Sequence, residues 1–472
     1  MRLLNNVKWV SISQLVKISS QMLGIFVFSR FLSPSEIGLM SMATVVVNFT
    51  NIIRDLGSSA AIIQREEVTE ELKRSVLGLN FIFGSLICIC IIIFSHTISI
   101  FFNELRLVPI LIIIAFTFPI NSITSIHLAL LERESKFQKI GLVEIVSSLV
   151  SLFTAIILCI SGFGVYSLVV QVVLYSILSA FGFVVSSQWK SAISFNFFAV
   201  KELLSFTSGL VAFNFINYFS RNADQIIIGR FSNASTLGQY SLSYRLMLFP
   251  VQNITFVLTR SLYPILSRLQ NDKNAAFNSY MQVVKAISIL TPPLMLGLSS
   301  VSVEFVRFFF GPKWDMVPGL IFWLAPVAIM QSFVSTTGSV FMANGKTNVL
   351  VSISIYNAIL QVGAFIIGGF FGVFWLVKLY FIANVLMFFP NMYLAVKMLH
   401  GSFVKFLSVI IIPICCALIM YIIVLFSKIH FLSGVGEVVN LVASILLGVV
   451  VYSLLIVLVE RKWVMSSLKF KR

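Results

Sequence analysis

The residues able to do chemistry in this chain sit inside its apolar runs. Gln14, Lys17 and Gln21 recur 200 positions later, place for place, as Asn214, Asn217 and Arg221. The spacing of three then four puts each trio on one helix face. Further cations lie at Arg54, Arg245, Arg260, Lys285, Arg307 and Lys378. Polar groups in hydrocarbon are costly and turn towards a bundle interior or a water-filled cavity. The two trios are therefore expected to line one cavity; the plainer alternative is hydrogen bonding that glues helices together. Lys17, Arg221, Arg245, Arg54 and Arg260 form the candidate cationic cleft. Gln14, Gln21, Asn214 and Asn217 form its polar lining. Surplus positive charge attracts anionic substrates, and the planar fork of Arg suits phosphate.

The intramembrane acids are few: Asp55, Glu144, Asp224 and Glu304. Spacing of i,i+3 predicts ion pairs of Arg221 with Asp224 and of Arg307 with Glu304. Asp224 is also a candidate proton carrier. Arg54, Lys285, Arg307 and Lys378 fall near the ends of apolar runs, where they can snorkel to headgroups. Lys17 and Arg245 lie deeper, on the order of 12 Å inside their runs. Neither has an acid one turn away, so both are expected to face water or an anion, with Glu144 as a candidate long-range partner.

Helices must carry these groups. Of 472 residues, 58% are hydrophobic and 11% charged, against roughly 25% charged in a soluble domain. Apolar stretches long enough to cross a bilayer recur from end to end, which predicts an all-α polytopic membrane protein. About fourteen spans are expected, near 8–30, 37–56, 76–101, 107–131, 140–161, 164–187, 203–230, 237–267, 281–310, 318–342, 347–370, 373–396, 404–426 and 436–459. No small-residue cleavage site follows Arg2 and Lys8, so the N-terminus reads as a retained span.

The chain is duplicated. Ser29–Ala43 recurs as Gly229–Ser243, with Arg30, Phe31, Ser35, Gly38 and Ser41 matched by Arg230, Phe231, Ser235, Gly238 and Ser241. Phe163-Gly-Val-Tyr166 recurs as Phe371-Gly-Val-Phe374. The predicted organisation is two six-helix lobes, 1–200 and 201–400, followed by a helix pair and basic tail over 401–472. With the N-terminus in the cytoplasm, about 20 of the 33 Lys and Arg fall in inner loops and termini and only Arg30, Arg106, Arg230, Lys313 and Lys428 in outer ones. That bias sets the orientation. The two copies are six spans apart, so they run in parallel and both hairpins face outward. Arg30 and Arg230 read as snorkelling hairpin ends rather than substrate ligands.

Other chemistries find no support. The five cysteines and four histidines lack metal-site spacing. There is no Walker loop, Rossmann fingerprint or nucleophile elbow, and no loop is long enough for an extramembrane catalytic domain. No cofactor or metal is expected, and the +16 net charge reads as topology rather than nucleic-acid binding.

The segments SRFLSPSEIG (29–38), RDLGSSAAIIQ (54–64), DQIIIGRF (224–231) and GQY (238–240) resemble the Wzx-type polysaccharide flippases. These belong to the multidrug/oligosaccharidyl-lipid/polysaccharide exporter superfamily, and the likeness is to the branch of colanic-acid exporters. The resemblance implies a V-shaped, two-lobed transporter working by alternating access, not an enzyme. Its substrate would be an undecaprenyl-pyrophosphate-linked oligosaccharide, moved from the cytoplasmic to the periplasmic leaflet of a bacterial inner membrane. Expected partners are that lipid-linked sugar and the surrounding lipids, with a polysaccharide polymerase as a further candidate; the expected state is a monomer with both termini cytoplasmic. Related peptidoglycan-precursor flippases use an extra C-terminal helix pair as a lipid groove, but here the pair carries no cation within its spans. The runners-up are a cation-coupled drug exporter, which would prefer surplus carboxylates, and a membrane polymerase or ligase, which would need a large outer loop.

Overall fold

The computed structural model describes residues 2–54, 62, 68–189, 218–219, 221–432 and 434–461. The side chains of some helical residues, Arg54 and Arg260 among them, lie outside the described set. Among the described residues all regular structure is helical. In order the helices are α1 (Arg2–Phe31), α2 (Pro34–Arg54), α3 (Glu70–Phe101), α4 (Leu107–Ala115), α5 (Thr117–Arg133), α6 (Phe137–Ile160) and α7 (Tyr166–Ser187). Then come α8 (221–231), α9 (Ala234–Pro250), a π-helical turn (Val251–Thr255), α10 (Phe256–Arg268), α11 (Lys273–Ser300), α12 (Ser302–Phe309), α13 (Val317–Val334) and α14 (Thr337–Ala343). The last four are α15 (Thr347–Phe371), α16 (Val373–Met398), α17 (Phe403–His430) and α18 (Glu437–Val459).

Eleven of these segments are long and apolar enough to cross a membrane, and they correspond one for one to eleven of the expected spans. Of the other three, the second is α2. The eighth is α9 and α10 with the π turn between them, and most of the seventh lies outside the described residues. The π turn follows Pro250, whose missing N–H leaves a carbonyl unpaired. Within the turn Asn253 donates its side-chain amide to the Phe249 carbonyl at 2.8 Å.

Two spans start earlier than hydropathy suggests. Thr69 caps α3 by accepting the Leu72 N–H, and Asp272 caps α11 by accepting the Ala275 N–H. Charged first turns thus extend each helix beyond its apolar stretch. The expected span 281–310 also ends early, at Ser300, and continues as the separate helix α12.

The repeated hairpins are helix starts. Ser33 and Glu36 form a reciprocal capping box at α2: Glu36 Oε2 accepts the Ser33 N–H at 2.7 Å, and the Glu36 N–H reaches Ser33 Oγ at 3.3 Å. In the second copy Asn233 Oδ1 accepts the Thr236 N–H at 2.8 Å, capping α9. Either cap contributes about 1 kcal/mol.

The chain forms two compact units, Met1–Gly238 and Gln239–Arg472. Within the first, the two hairpin copies cross. A Cβ on Gly38 would lie 1.7 Å from the Ala234 carbonyl oxygen, and one on Gly238 would lie 1.8 Å from that of Pro34. Each motif glycine therefore holds the backbone of the other copy, and no side chain fits at either position. Elsewhere in this unit α3, α5 and α7 pack together and α1 runs along α6.

In the second unit α17 and α18 dock on α11 over a core that includes Ala417, Met420, Val424 and Tyr452. The Tyr452 hydroxyl donates to the Ile289 carbonyl at 2.8 Å. Lys285 pairs with Glu460 at 2.6 Å, and Lys428 with Glu304 at 2.7 Å. Lys285 and Ser300, which accepts a second Lys428 bond through its carbonyl, are fifteen residues or roughly 22 Å apart on α11. The helix pair is thus pinned at two heights.

Two outcomes are expected. Gly38→Ala or Gly238→Ala must displace backbone rather than a flexible side chain, lowering stability by about 1–3 kcal/mol; thermal melting of the detergent-purified protein measures this. Lys285→Ala leaves the Glu460 carboxylate largely buried and unpaired, a loss on the order of 3 kcal/mol. The exchange Lys285→Glu/Glu460→Lys recovers most of it.

Candidate functional site

The Lys17 side chain lies in the middle of α1, where it pairs with Glu144 of α6 at 2.6 Å. Two further contacts fix the register of these helices. Gly141 lets α6 approach the Trp9 carbonyl, and Gly24 faces Leu152. The α1 positions 9, 17 and 24 thus meet 141, 144 and 152 in ascending order, so the helices run in parallel. Glu144, the candidate long-range partner, thus meets Lys17, and the expectation that Lys17 faces water or an anion is corrected to this extent; both groups remain partly accessible, at 32% and 20%. Gln14 and Gln21 are exposed on either side of it.

Asn214 and Asn217 lie outside the described residues, as do Asp55 and the side chains of Arg54 and Arg260. Arg221 opens α8 and is exposed. The expected pair with Asp224 is not made: Asp224 is fully buried and its Oδ1 accepts the Gln225 N–H at 2.8 Å. Just before α8, the Tyr218 hydroxyl donates to the Val45 carbonyl of α2, and Phe49 packs on the rings of Tyr218 and Phe219. These contacts fasten the start of α8 to α2. Arg245 projects from α9, five residues before the π turn ends the helix, and is also exposed. Neither Arg221 nor Arg245 makes an ion pair among the described residues. Lys17, Glu144 and Arg221 belong to the first unit, and Arg245 and Arg260 to the second.

The remaining cations have partners that helical spacing did not predict. Arg307 reaches Glu437, at 3.4 Å, rather than Glu304, which Lys428 occupies. Lys285 is bound by Glu460 instead of snorkelling. Lys378 sits over the rings of Trp375 and Trp323, at 4.9 and 5.6 Å, a cation–π arrangement. Arg230 donates to the Phe101 carbonyl at 3.0 Å and covers that ring. Sequence separation hid these partners; each is more than 50 residues away, Trp375 excepted.

Several residues that spacing did not single out also tie elements together. His127 Nδ1 meets Ser187 Oγ at 2.7 Å, Trp189 donates to Glu70, and Lys139 donates to the Ser186 carbonyl. At the opposite end of the helices, Arg106 forms two 2.8 Å bonds with Glu104 and a third, at 2.9 Å, with Ser35. The bond with Arg106 holds the Glu104 carboxyl below its usual range, with the nearby positive charge acting in the same direction. The pair's contribution is therefore present at neutral pH and lost as pH falls through that lowered value. The capping-box spacing Ser33-x-x-Glu36 was the one readable signal at this end.

Eleven helical segments long and apolar enough to cross a bilayer define a polytopic membrane protein. The family profile described as "Polysaccharide biosynthesis protein" matches residues 27–318, more than half of the chain, and the chain belongs to that family. It is 25% identical over 372 residues to "Lipopolysaccharide biosynthesis protein WzxC" of Escherichia coli (strain K12), covering 78% of this chain and 75% of that one. It is 23% identical over 473 residues to "Succinoglycan biosynthesis transport protein ExoT" of Rhizobium meliloti (strain 1021), covering 99% and 95%. Among solved structures, the "Lipid II flippase MurJ, inward closed conformation" shares the fold, with a TM-score of 0.78 at 17% identity, covering 96% of this chain and 99% of that one.

The Lys17–Glu144 pair separates two roles. If it is mainly a packing device, Lys17→Ala lowers folded yield and melting temperature more than Lys17→Ala/Glu144→Ala does, because the single change leaves a carboxylate unpaired. Size-exclusion profiles and thermal melts of the two variants measure the difference.

Proposed function

We propose that the chain moves lipid-linked oligosaccharide repeat units across a bacterial inner membrane for surface polysaccharide synthesis. The carrying observation is that Arg221 and Arg245, which fall in the seventh and eighth expected spans, are exposed and make no ion pair among the described residues. A charge within the membrane and without a counter-ion costs several kcal/mol unless water or an anion attends it. A pyrophosphate is such an anion, and a guanidinium fork is suited to it. Exposed Gln14 and Gln21 supply hydrogen-bonding groups for sugar hydroxyls, and the lipid tail stays in the bilayer. Family membership and the likeness to proteins named for lipopolysaccharide biosynthesis and succinoglycan transport support the same cargo class.

In this reading lobes 1–200 and 201–400 alternate between inward- and outward-open states, and 401–472 is an accessory pair. Both termini are cytoplasmic, in keeping with the Lys and Arg bias. The exporter works as a monomer and hands its cargo to a polysaccharide polymerase. A drug exporter fits less well. The expected spans hold four acids against eight cations, and two of those acids, Glu144 and Glu304, are engaged by Lys17 and Lys428, so carboxylate is not in surplus for a cationic drug.

Arg221→Ala/Arg245→Ala should abolish surface polysaccharide while the protein still reaches the membrane. Mass spectrometry of the strain's lipid extract should then show undecaprenyl-pyrophosphate-linked repeat units accumulating. Normal polysaccharide from the double variant would rule out these two residues as the anion's ligands.

A further inference from the structure

Within the first unit a pocket of about 570 Å³ opens between the starts of α2, α4 and α7, bordered by Glu36, Leu105, Arg106, Phe163, Gly164 and Tyr166. Its size is in the usual range for small-molecule sites, roughly 300–1,000 Å³. None of the residues discussed for the proposed transport path lines it.

The pocket has unused polar capacity. Glu36 spends Oε2 on the Ser33 amide and hydroxyl. Its Oε1 makes no hydrogen bond among the described residues and points at Gly164, where a Cβ would lie 2.3 Å away. Gly164 has φ +57, a conformation glycine adopts without strain, so one residue supplies both the turn and the room for the carboxylate. Arg106 spends Nε and Nη2 on Glu104 and Ser35; its Nη1 has no bond among the described residues. An acceptor and a donor, both held in place by their other bonds, therefore line the same space. Two aromatic rings complete the wall. Phe163 and Tyr166 are 57% and 41% exposed, and neither stacks on another ring among the described residues.

The duplication supplies an internal control. The matching turn, Phe371-Gly-Val-Phe374, carries phenylalanine in place of Tyr166. Nothing lies within 4 Å of the Cβ position at its glycine, Gly372. Thr236 stands 200 residues after Glu36. The aromatic pair recurs in the second copy, but the Glu36 carboxylate and the Tyr166 hydroxyl are specific to the first, so the pocket's polar character is not a by-product of the repeated turn.

We propose that this pocket is a saccharide-binding site. Sugar rings offer apolar C–H faces to aromatic side chains, and their hydroxyls both donate to carboxylates and accept from guanidinium groups. A carboxylate beside the cation disfavours a phosphate headgroup, which Arg106 alone would attract. The site holds part of the glycan as it reaches the far side of the membrane. This role rests on the orientation and cargo proposed above, and the two claims are tested separately.

For orientation, a Leu105→Cys variant in a cysteine-free background is treated with a membrane-impermeant maleimide in right-side-out vesicles. Labelling places the pocket on the outer face; labelling only after permeabilisation overturns the orientation and with it the proposed role. For the site, the probe is the oligosaccharide released by mild acid from the encoding strain's lipid-linked repeat unit, free of lipid and pyrophosphate. Saturation-transfer NMR with the purified full chain should show sugar-ring signals at about 1 mM probe, and the probe should slow maleimide labelling of the Leu105→Cys variant. Phe163→Ala/Tyr166→Ala, and independently Arg106→Ala, should weaken binding about tenfold or more. These side chains lie at the surface, and monodisperse size-exclusion profiles verify the fold. Absence of transfer from the wild type at about 10 mM, or equal binding by both folded variants, would overturn the proposal whatever the labelling shows.

Discussion

A charge placed in hydrocarbon must find a counter-charge, a π face or water, and this requirement governs how the chain is assembled. Insertion of a central Lys or Arg costs at least about 2.5–3.5 kcal/mol. Lys17 meets the requirement through Glu144, Lys285 through Glu460, and Lys378 through two tryptophan rings. Each solution joins two segments of chain that must then pack in one register. The charges that could have threatened insertion become the points at which helices are fastened. Against that background Arg221 and Arg245 stand apart, being accessible and without ion pairs among the described residues.

The accessory pair α17–α18 illustrates the same economy. Its own spans are almost purely apolar, which gives no directional preference for where on the bundle it docks. Direction comes from polar groups at its ends. Lys428 meets Glu304 and the Ser300 carbonyl, and Glu460 meets Lys285. An apolar surface packs almost anywhere in lipid, whereas a buried ion pair has one partner and one geometry.

Hydropathy made the helical class and most of the spans readable, and the resemblance of short motifs such as DQIIIGRF (224–231) pointed to the family, because those signals are local or additive along the chain. The starts of α3 and α11 were missed because Glu70, Glu71 and Lys273 look like loop, and only the caps at Thr69 and Asp272 show that the helix has already begun. Pairings were less readable still. Arg307 with Glu304 and Arg221 with Asp224 were the pairs that helical spacing offers, and the fold replaces the first with Glu437 and does not form the second. A rule about neighbours one turn away cannot see Lys17 and Glu144, which are 127 positions apart. The pocket beside α2 went unread: Ser33 and Glu36 have capping-box spacing, but nothing in the sequence announced that Gly164 would leave room for the second carboxylate oxygen.

The crossing of Gly38 and Gly238 bears on how such a duplicated chain can change over time. Each glycine is confined by the backbone of the other copy, so the restriction is mutual and does not depend on which side chains surround it. Two positions 200 residues apart therefore act as one site for substitution, while the cap residues beside them differ, serine in one copy and asparagine in the other. A side chain could enter at one glycine only if the opposite helix start shifted, and that shift would disturb its partner glycine too. Sequence drift can separate the halves almost everywhere else, yet at this crossing neither copy is free to change alone.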